Sequence, residues 1–177
     1  MLFRSLGGAL RLQFEQSGQH KDLEEAISLL QEALELWPAP HPDRSMVLSN
    51  LANTLYLQID QSGQHKDLEE AISLHQEALE LRPVPHPNRS NTLNNLAITL
   101  RKQFEQSGQH KDLEEAISLH REAVELIPVA HPLRSQWLNH LAGVLRICFE
   151  DSGEPRDLEE AILLEQEAKN LSLSASV

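Results

Sequence analysis

The sequence predicts an all-α fold, a solenoid of antiparallel helix pairs, on three observations. A block, QSGQHKDLEEAISL, occurs without one substitution at residues 16–29, 61–74 and 106–119, so the chain repeats itself every 45 residues. A period of this size marks stacked supersecondary units. A second shared element, HPxRS, recurs at His41–Ser45, His86–Ser90 and His131–Ser135. Between the two elements, each repeat carries two apolar patterns with helical spacing.

The third unit shows the elements most clearly. Helix A is predicted from about Asn88 to Gln106, with Leu93, Leu96, Ala97, Leu100 and Phe104 at intervals of three and four that make one buried stripe. Ser107-Gly108 supplies the glycine that ends a helix in the left-handed conformation. Asp112 with Glu115 three residues on reads as a capping box at the start of helix B. Helix B presents Leu113, Ala116, Ile117, Ala123, Val124 and Leu126 inward, and Pro128 stops it.

Met1 falls in phase with Met46, Asn91 and Gln136, so the chain opens inside a helix A and holds four helix pairs, approximately 1–38, 39–83, 84–128 and 129–177, in a single array. At the other end Lys169 stands where Leu79 and Val124 stand. A lysine suits a terminal repeat, whose outer side is polar; a chain cut from a longer array gives the same pattern.

Composition narrows the function. Aromatic content of 4% means that burial comes mainly from Leu, Ile and Ala packed between helices. A net charge of −12 makes a phosphate backbone or an anionic membrane an unsuitable partner unless basic residues are segregated. They are segregated in part: Arg44, Arg89, Arg101, Lys102, Arg134 and Arg146 fall on the HPxRS turns and A helices, while the acidic surplus falls on the B helices. The B helices therefore read as a solvated acidic coat and the A side as polar and slightly positive, which leaves an acidic peptide possible as a ligand. No nucleic acid or membrane partner is expected. The one cysteine, Cys148, permits no disulfide framework within the chain, and a cytoplasmic location fits. No run reaches the length of a membrane span, and Gly7, Gly8 and Arg11 interrupt any leader-like apolar core.

The pattern Leu93-x2-Leu96-Ala97-x2-Leu100, followed by Ala116, His120, Ala123 and Pro128, resembles the tetratricopeptide repeat. The same frame gives Leu48, Leu51, Ala52, Leu55, Ala71, His75, Ala78 and Pro83, and then Leu138, Leu141, Ala142, Leu145, Ala161 and Ala168. The repeat is longer than the family's usual length of about 34 residues. Seven of the extra residues make two helical turns, which drift by only ~20° and keep the stripe on the same neighbour. With the segment Leu93–Ala97, LNNLA, and the HP turn, this long repeat is similar to those of kinesin light chains and of fungal nucleotide-binding receptor arrays. The resemblance implies a right-handed superhelix whose concave face is lined mainly by A helices.

Beside the buried stripe, the A helices carry Asn50 and Asn53, then Asn94 and Asn95, then Asn139 and His140, with Tyr56, Arg101 and Arg146 one turn further on. A carboxamide offers both a donor and an acceptor to an extended peptide backbone. In tetratricopeptide grooves similar positions contact peptide backbones and carboxylates, so the resemblance implies such roles for Asn50, Asn53, Asn95 and His140. Hydrogen bonding between neighbouring helices is the alternative use of the same asparagines. The family's clamp for a C-terminal carboxylate needs basic residues where Met46, Asn91 and Gln136 stand, and none is expected here.

Nine histidines form no His-x3-His pair on a helix and have no cysteine pair beside them, so no metal site is expected. His20, His65 and His110 belong to the turn between helices, and His41, His86 and His131 to the HP turns. His75 and His120 take a place filled by Leu30 and Glu165 in the other repeats, which reads as a boundary between core and solvent. No phosphate-binding loop or nucleophile elbow occurs, so neither catalysis nor a cofactor is expected. The expected function is a scaffold that binds a protein or peptide on the concave A-helix face. Two alternatives stand beside it: a structural array that self-associates through repeat ends, where Leu2, Phe3 and Leu6 lack a preceding repeat, and a ligand-sensing segment of a larger receptor.

Overall fold

The computed structural model describes residues 20–38, 41–62 and 66–174 of the 177-residue chain. The helix A predicted at the start, with Leu2, Phe3 and Leu6, lies outside the described residues, as does His65. Among the described residues there are seven helices and no strands: α1 (His20–Leu36), α2 (Arg44–Ser62), α3 (Lys66–Glu80), α4 (Arg89–Ser107), α5 (His110–Glu125), α6 (Arg134–Ser152) and α7 (Pro155–Ser174). The helix A predicted from Asn88 to Gln106 is α4, displaced by one residue at each end.

The chain divides into two compact units, one ending at His86 and one beginning at Pro87. In the first, α2 packs between α1 and its own partner α3. Leu30 and Ala33 of α1 meet Val47, Leu51, Ala52 and Leu55 of α2 and Ala71 of α3 in one apolar cluster. In the second unit α4 pairs with α5 and α6 with α7, while α5 packs on α6 and α4 also reaches α6. Leu141, Ala142 and Leu145 of α6 and Ala161 of α7 form a cluster there, against which Ile117 of α5 packs. The molecule is thus an all-α, tetratricopeptide-like repeat of antiparallel helix pairs. Ala97, Ala116, Ala123, Ala142 and Ala161 are fully buried, which lets the helix backbones approach closely. A larger residue there would overpack the junction by about 1–3 kcal/mol.

Turn chemistry departs from the sequence reading at one point. Gly108 and Gly153 have φ of 64° and 74°, and each donates its N–H to the carbonyl of Phe104 or Phe149 at 2.8 Å, which ends helix A as expected. Helix α5, however, opens at His110, so Asp112 lies inside the first turn and forms no capping box with Glu115. Ser107 braces the turn just before the helix: its Oγ accepts the N–H of Gln109 and donates to Asp112 Oδ2, both at 3.2 Å. The aspartate of the first turn is thus tied back to the serine of the preceding glycine turn. Leu126 is a second departure, being exposed while Ile127 is buried. Helix α5 ends at Glu125, and beyond its end the 3.6-residue phase no longer says which side faces inward.

The HPxRS element is an arginine staple. Arg44 Nη1 donates to the carbonyls of Leu34 and Trp37 at 3.1 and 3.0 Å, at the C-terminal end of α1, while Nε donates to Glu77 Oε1 on α3 at 2.9 Å. Arg134 repeats this with the carbonyls of Val124 and Ile127 at 2.9 and 3.4 Å and with Glu167 on α7 at 3.3 Å. Arg89 pairs with Glu122 at 2.8 Å. One planar guanidinium therefore satisfies carbonyls at the negative end of one B helix and pins the next B helix to its own A helix. The histidine of the same element shapes the turn: Nδ1 of His41 and His131 accept the N–H of Asp43 and Leu133 at 3.1 and 3.2 Å.

Because the staple joins three helices, Arg134→Ala should lower the free energy of unfolding in urea by about 1–3 kcal/mol. Arg134→Lys should recover only a fraction, since an ammonium cannot fork between a carbonyl and a carboxylate. An alanine variant that melts at the wild-type urea midpoint would show that the guanidinium holds nothing.

Candidate functional site

The residues singled out by the sequence fall into two groups, one in each unit. In the first, Asn50, Asn53 and Tyr56 lie half-buried along α2. In the second, α4 and α6 bring Asn94, Asn95, Arg101, Asn139 and His140 near one another, and three of them line one cavity. That cavity, of about 160 Å³, is bounded by Ile98 and Arg101 of α4, His120 of α5, and Asn139, His140 and Gly143 of α6.

Its polar groups are ordered from the inside outward. Asn94 is only 4% exposed, so it faces the helix junction, where its Oδ1 accepts a hydrogen bond from His140 Nδ1 at 3.0 Å. This is the interhelical use of an asparagine. Asn95 and His140 are half-buried, and Asn139 is exposed at the rim. The ring of His140 lies 5.9 Å from that of His120, tilted by 50°. His120 is 1% exposed, and its Nδ1 has no hydrogen-bond partner. Arg101 is half-exposed and reaches Glu105, one turn along the same helix, at 3.8 Å.

His120 and His75 correct the sequence reading, since both are core residues and not boundary ones. The flanking Ala116 and Ala123, four residues before and three after His120, were the available signal: they place it in the middle of the buried stripe. Burial pushes His120 down to about 3, helped by the charges of His140 and Arg101. Burial also pushes His75 down to about 4, with Arg82 adding to it. His140 is lowered too, by burial first and then by Arg101. These rings are therefore neutral around neutral pH. Sequence reasoning also missed Ile98 and Gly143, which occupy the place of Asn53 one and two repeats on.

Two further candidates have defined partners. Arg146 donates from Nε and Nη2 to both oxygens of Glu165 on α7, at 2.7 and 2.8 Å, and so is not a spare cation. This pair raises the arginine and holds the Glu165 carboxyl below its ordinary value. With the staple arginines, it also corrects the picture of a positive A side: Arg44, Arg89, Arg134 and Arg146 are all spent on B-helix glutamates. Among the described residues no group of three metal-ligating side chains occurs, and no helix is long and apolar enough to cross a membrane.

The comparisons agree with this architecture. The family model for the tetratricopeptide repeat matches residues 45–88 and 90–133. Among solved structures, the nearly identical TPR-like repeats of a Podosopora anserina putative kinesin light chain superpose with a TM-score of 0.70 at 20% identity, over 97% of this chain and 75% of that one. A single-substitution variant of the same protein gives a TM-score of 0.61 at 20% identity, over 97% and 91%. The DHF58 filament gives 0.52 at 18% identity, over 99% and 93%. No curated protein matches the sequence.

The buried rings yield a pH prediction. Unfolded histidine takes up protons below pH 6.5, while His75 and His120 stay neutral in the fold until about 4 and about 3. The unfolded state then binds more protons, so stability is complete above 6.5 and falls as the pH drops through that window. Each ring should cost about 2 kcal/mol by about pH 5, and His120→Leu, which installs the residue found at Leu30, should remove its share. Urea unfolding at a series of pH values checks this; identical slopes for wild type and variant would contradict it.

Proposed function

We propose that this chain, a tetratricopeptide-type repeat protein, is a scaffold that holds an extended segment of a partner protein across the A helices α4 and α6. Repeats of this family generally mediate protein–protein interaction or self-assembly, and their fold is typically a non-enzymatic scaffold. The observation that carries the reading is the cavity between these helices, where Arg101, Asn139 and His140 converge beside Ile98. Asn139, exposed at the rim, offers a donor and an acceptor to a peptide backbone beside Asn95, whose Oδ1 already accepts from Asn94 Nδ2 at 3.4 Å, and a strand-like segment would gain main-chain hydrogen bonds there while burying a side chain in the cavity. In the other unit, Asn50, Asn53 and Tyr56 of α2 have the same character and are proposed as further contacts.

Self-association is the second reading. Ile162, Leu163 and Leu173 of α7 are 40%, 65% and 61% exposed, apolar surface that a second copy would cover. Light scattering over a concentration series separates the two; a monomer at high concentration removes this reading.

For the scaffold, peptides selected from a displayed library on the wild-type chain provide the test. Asn95→Ala and Arg101→Glu should each weaken their capture by about tenfold, or 1.4 kcal/mol, while helicity and melting temperature stay near wild type. Binding that falls only in step with the melting temperature would assign both residues to the fold alone.

A further inference from the structure

One register position at the end of helix B is filled differently in the last repeat. Trp37, Arg82 and Ile127 occupy it in the first three repeats with large side chains, whereas Ser172 is small and exposed. Arg82 shows what this position can hold. It is 3% exposed, and its guanidinium lies against α2: Nε donates to Ser45 Oγ at 3.2 Å, Nη2 to the Ser45 carbonyl and Nη1 to Ser49 Oγ, both at 2.9 Å. Ser135 is the equivalent of Ser45, 90 residues on. In the last repeat a cavity of about 390 Å³ lies against Ser135 and Ser172, lined also by Val129, His131 and Pro132 of the HP turn and by Ser174. That volume falls within the range of about 300–1,000 Å³ common to ligand sites.

We infer that this cavity receives the guanidinium of an arginine side chain supplied by a partner protein, in the role that Arg82 fills within the second repeat. It shares no residue with the cavity bounded by α4, α5 and α6, so the inference goes beyond the extended-segment reading and does not rest on it.

The hydroxyls decide the sign of the ligand. Ser135 Oγ and Ser172 Oγ lie 2.9 and 3.0 Å from the carbonyl of Ala168, and 2.8 Å from each other. Two hydroxyl protons serve these three contacts, and the Ser174 proton goes to the carbonyl of Leu171 at 2.8 Å. With those protons committed inside the fold, the hydroxyls meet a ligand as acceptors. A carboxylate finds no donor among them, while a guanidinium brings five N–H groups in a planar fork. The C-terminal end of α7 adds partial negative charge, and its last turn holds no basic residue. Of the cations on the two helices at this end, Arg134 is paired with Glu167 and Lys169 is exposed to solvent. The net charge of −12 draws a cationic partner at long range. Val129 and Pro132 give the methylene stem of an arginine apolar surface to lie on while its head reaches the serines.

The experiment follows the amide signals of Ala130, Ser135 and Ser174 by NMR at physiological salt. The titrants are acetyl-Gly-Arg-Gly-amide, the same peptide with lysine, the same peptide with citrulline, which keeps the shape of arginine without its charge, and free L-arginine. The arginine peptide should saturate with Kd of about 1 mM or tighter, at least about tenfold tighter than the lysine and citrulline peptides. Ser172→Arg restores the residue of the second repeat and should abolish the response while the melting temperature holds or rises. Ser174→Ala removes one acceptor from an exposed position and should weaken binding about threefold, which keeps the test valid if the first variant fails to fold. Equal response to the arginine and lysine peptides would assign it to the acidic surface at large and overturn the site. No saturable response, or an unchanged response in either folded variant, also overturns it. Free L-arginine binding tenfold tighter than the peptide overturns the assignment to a partner's side chain.

Discussion

Each helix pair of this chain carries apolar surface on two sides, and only a neighbouring helix hides the second. That constraint organises everything else. It places alanine at Ala97, Ala116, Ala123 and Ala142, where a longer side chain would hold the backbones apart. It also requires that the ends of successive helices be fixed relative to one another, which is the task of the staple arginines. Arg44 and Arg134 bond the end of one B helix and the flank of the next, so the contact that satisfies orphaned carbonyls also sets the step between successive elements.

The fold is legible in the sequence because repetition multiplies weak signals. One leucine stripe is ambiguous; the same stripe at Leu48, Leu93 and Leu138, each followed by a serine–glycine turn, is not. The staple is less visible, although its arginine and glutamate stand 33 residues apart in every repeat that shows it. Spacing reveals that both residues recur, but not that their side chains meet, because the meeting depends on how far helix B folds back along helix A. Asp112 misleads for a related reason: its spacing to Glu115 does not say where the helix opens, and the helix opens two residues earlier, at His110.

The repeats differ in surface chemistry where they stop being identical. At the position shared by Leu30, His75, His120 and Glu165, the chain places in turn an apolar residue, two buried neutral rings and a paired carboxylate. At the position shared by Asn53, Ile98 and Gly143 it places a carboxamide, a branched chain and no side chain. These differences convert one packing scheme into surfaces of different chemistry. The candidate asparagines divide in the same way, since Asn94 is consumed by the helix junction whereas its equivalent, Asn139, is exposed. The sequence could not separate them, because the two residues are alike in type and register and differ only in what packs over them.

Mutual dependence of neighbouring pairs underlies all of this, and amide hydrogen exchange in a Leu145→Ala chain tests it most directly. Leu145 lies on α6 in the cluster against which Ile117 of α5 packs, and its truncation leaves a cavity at that junction. Faster exchange is expected in α5 as well as in α6 and α7, because the preceding pair loses the surface it leans on. Loss of protection confined to α6 and α7, with α5 exchanging as in the wild type, would mean that each pair stands alone and would contradict that dependence.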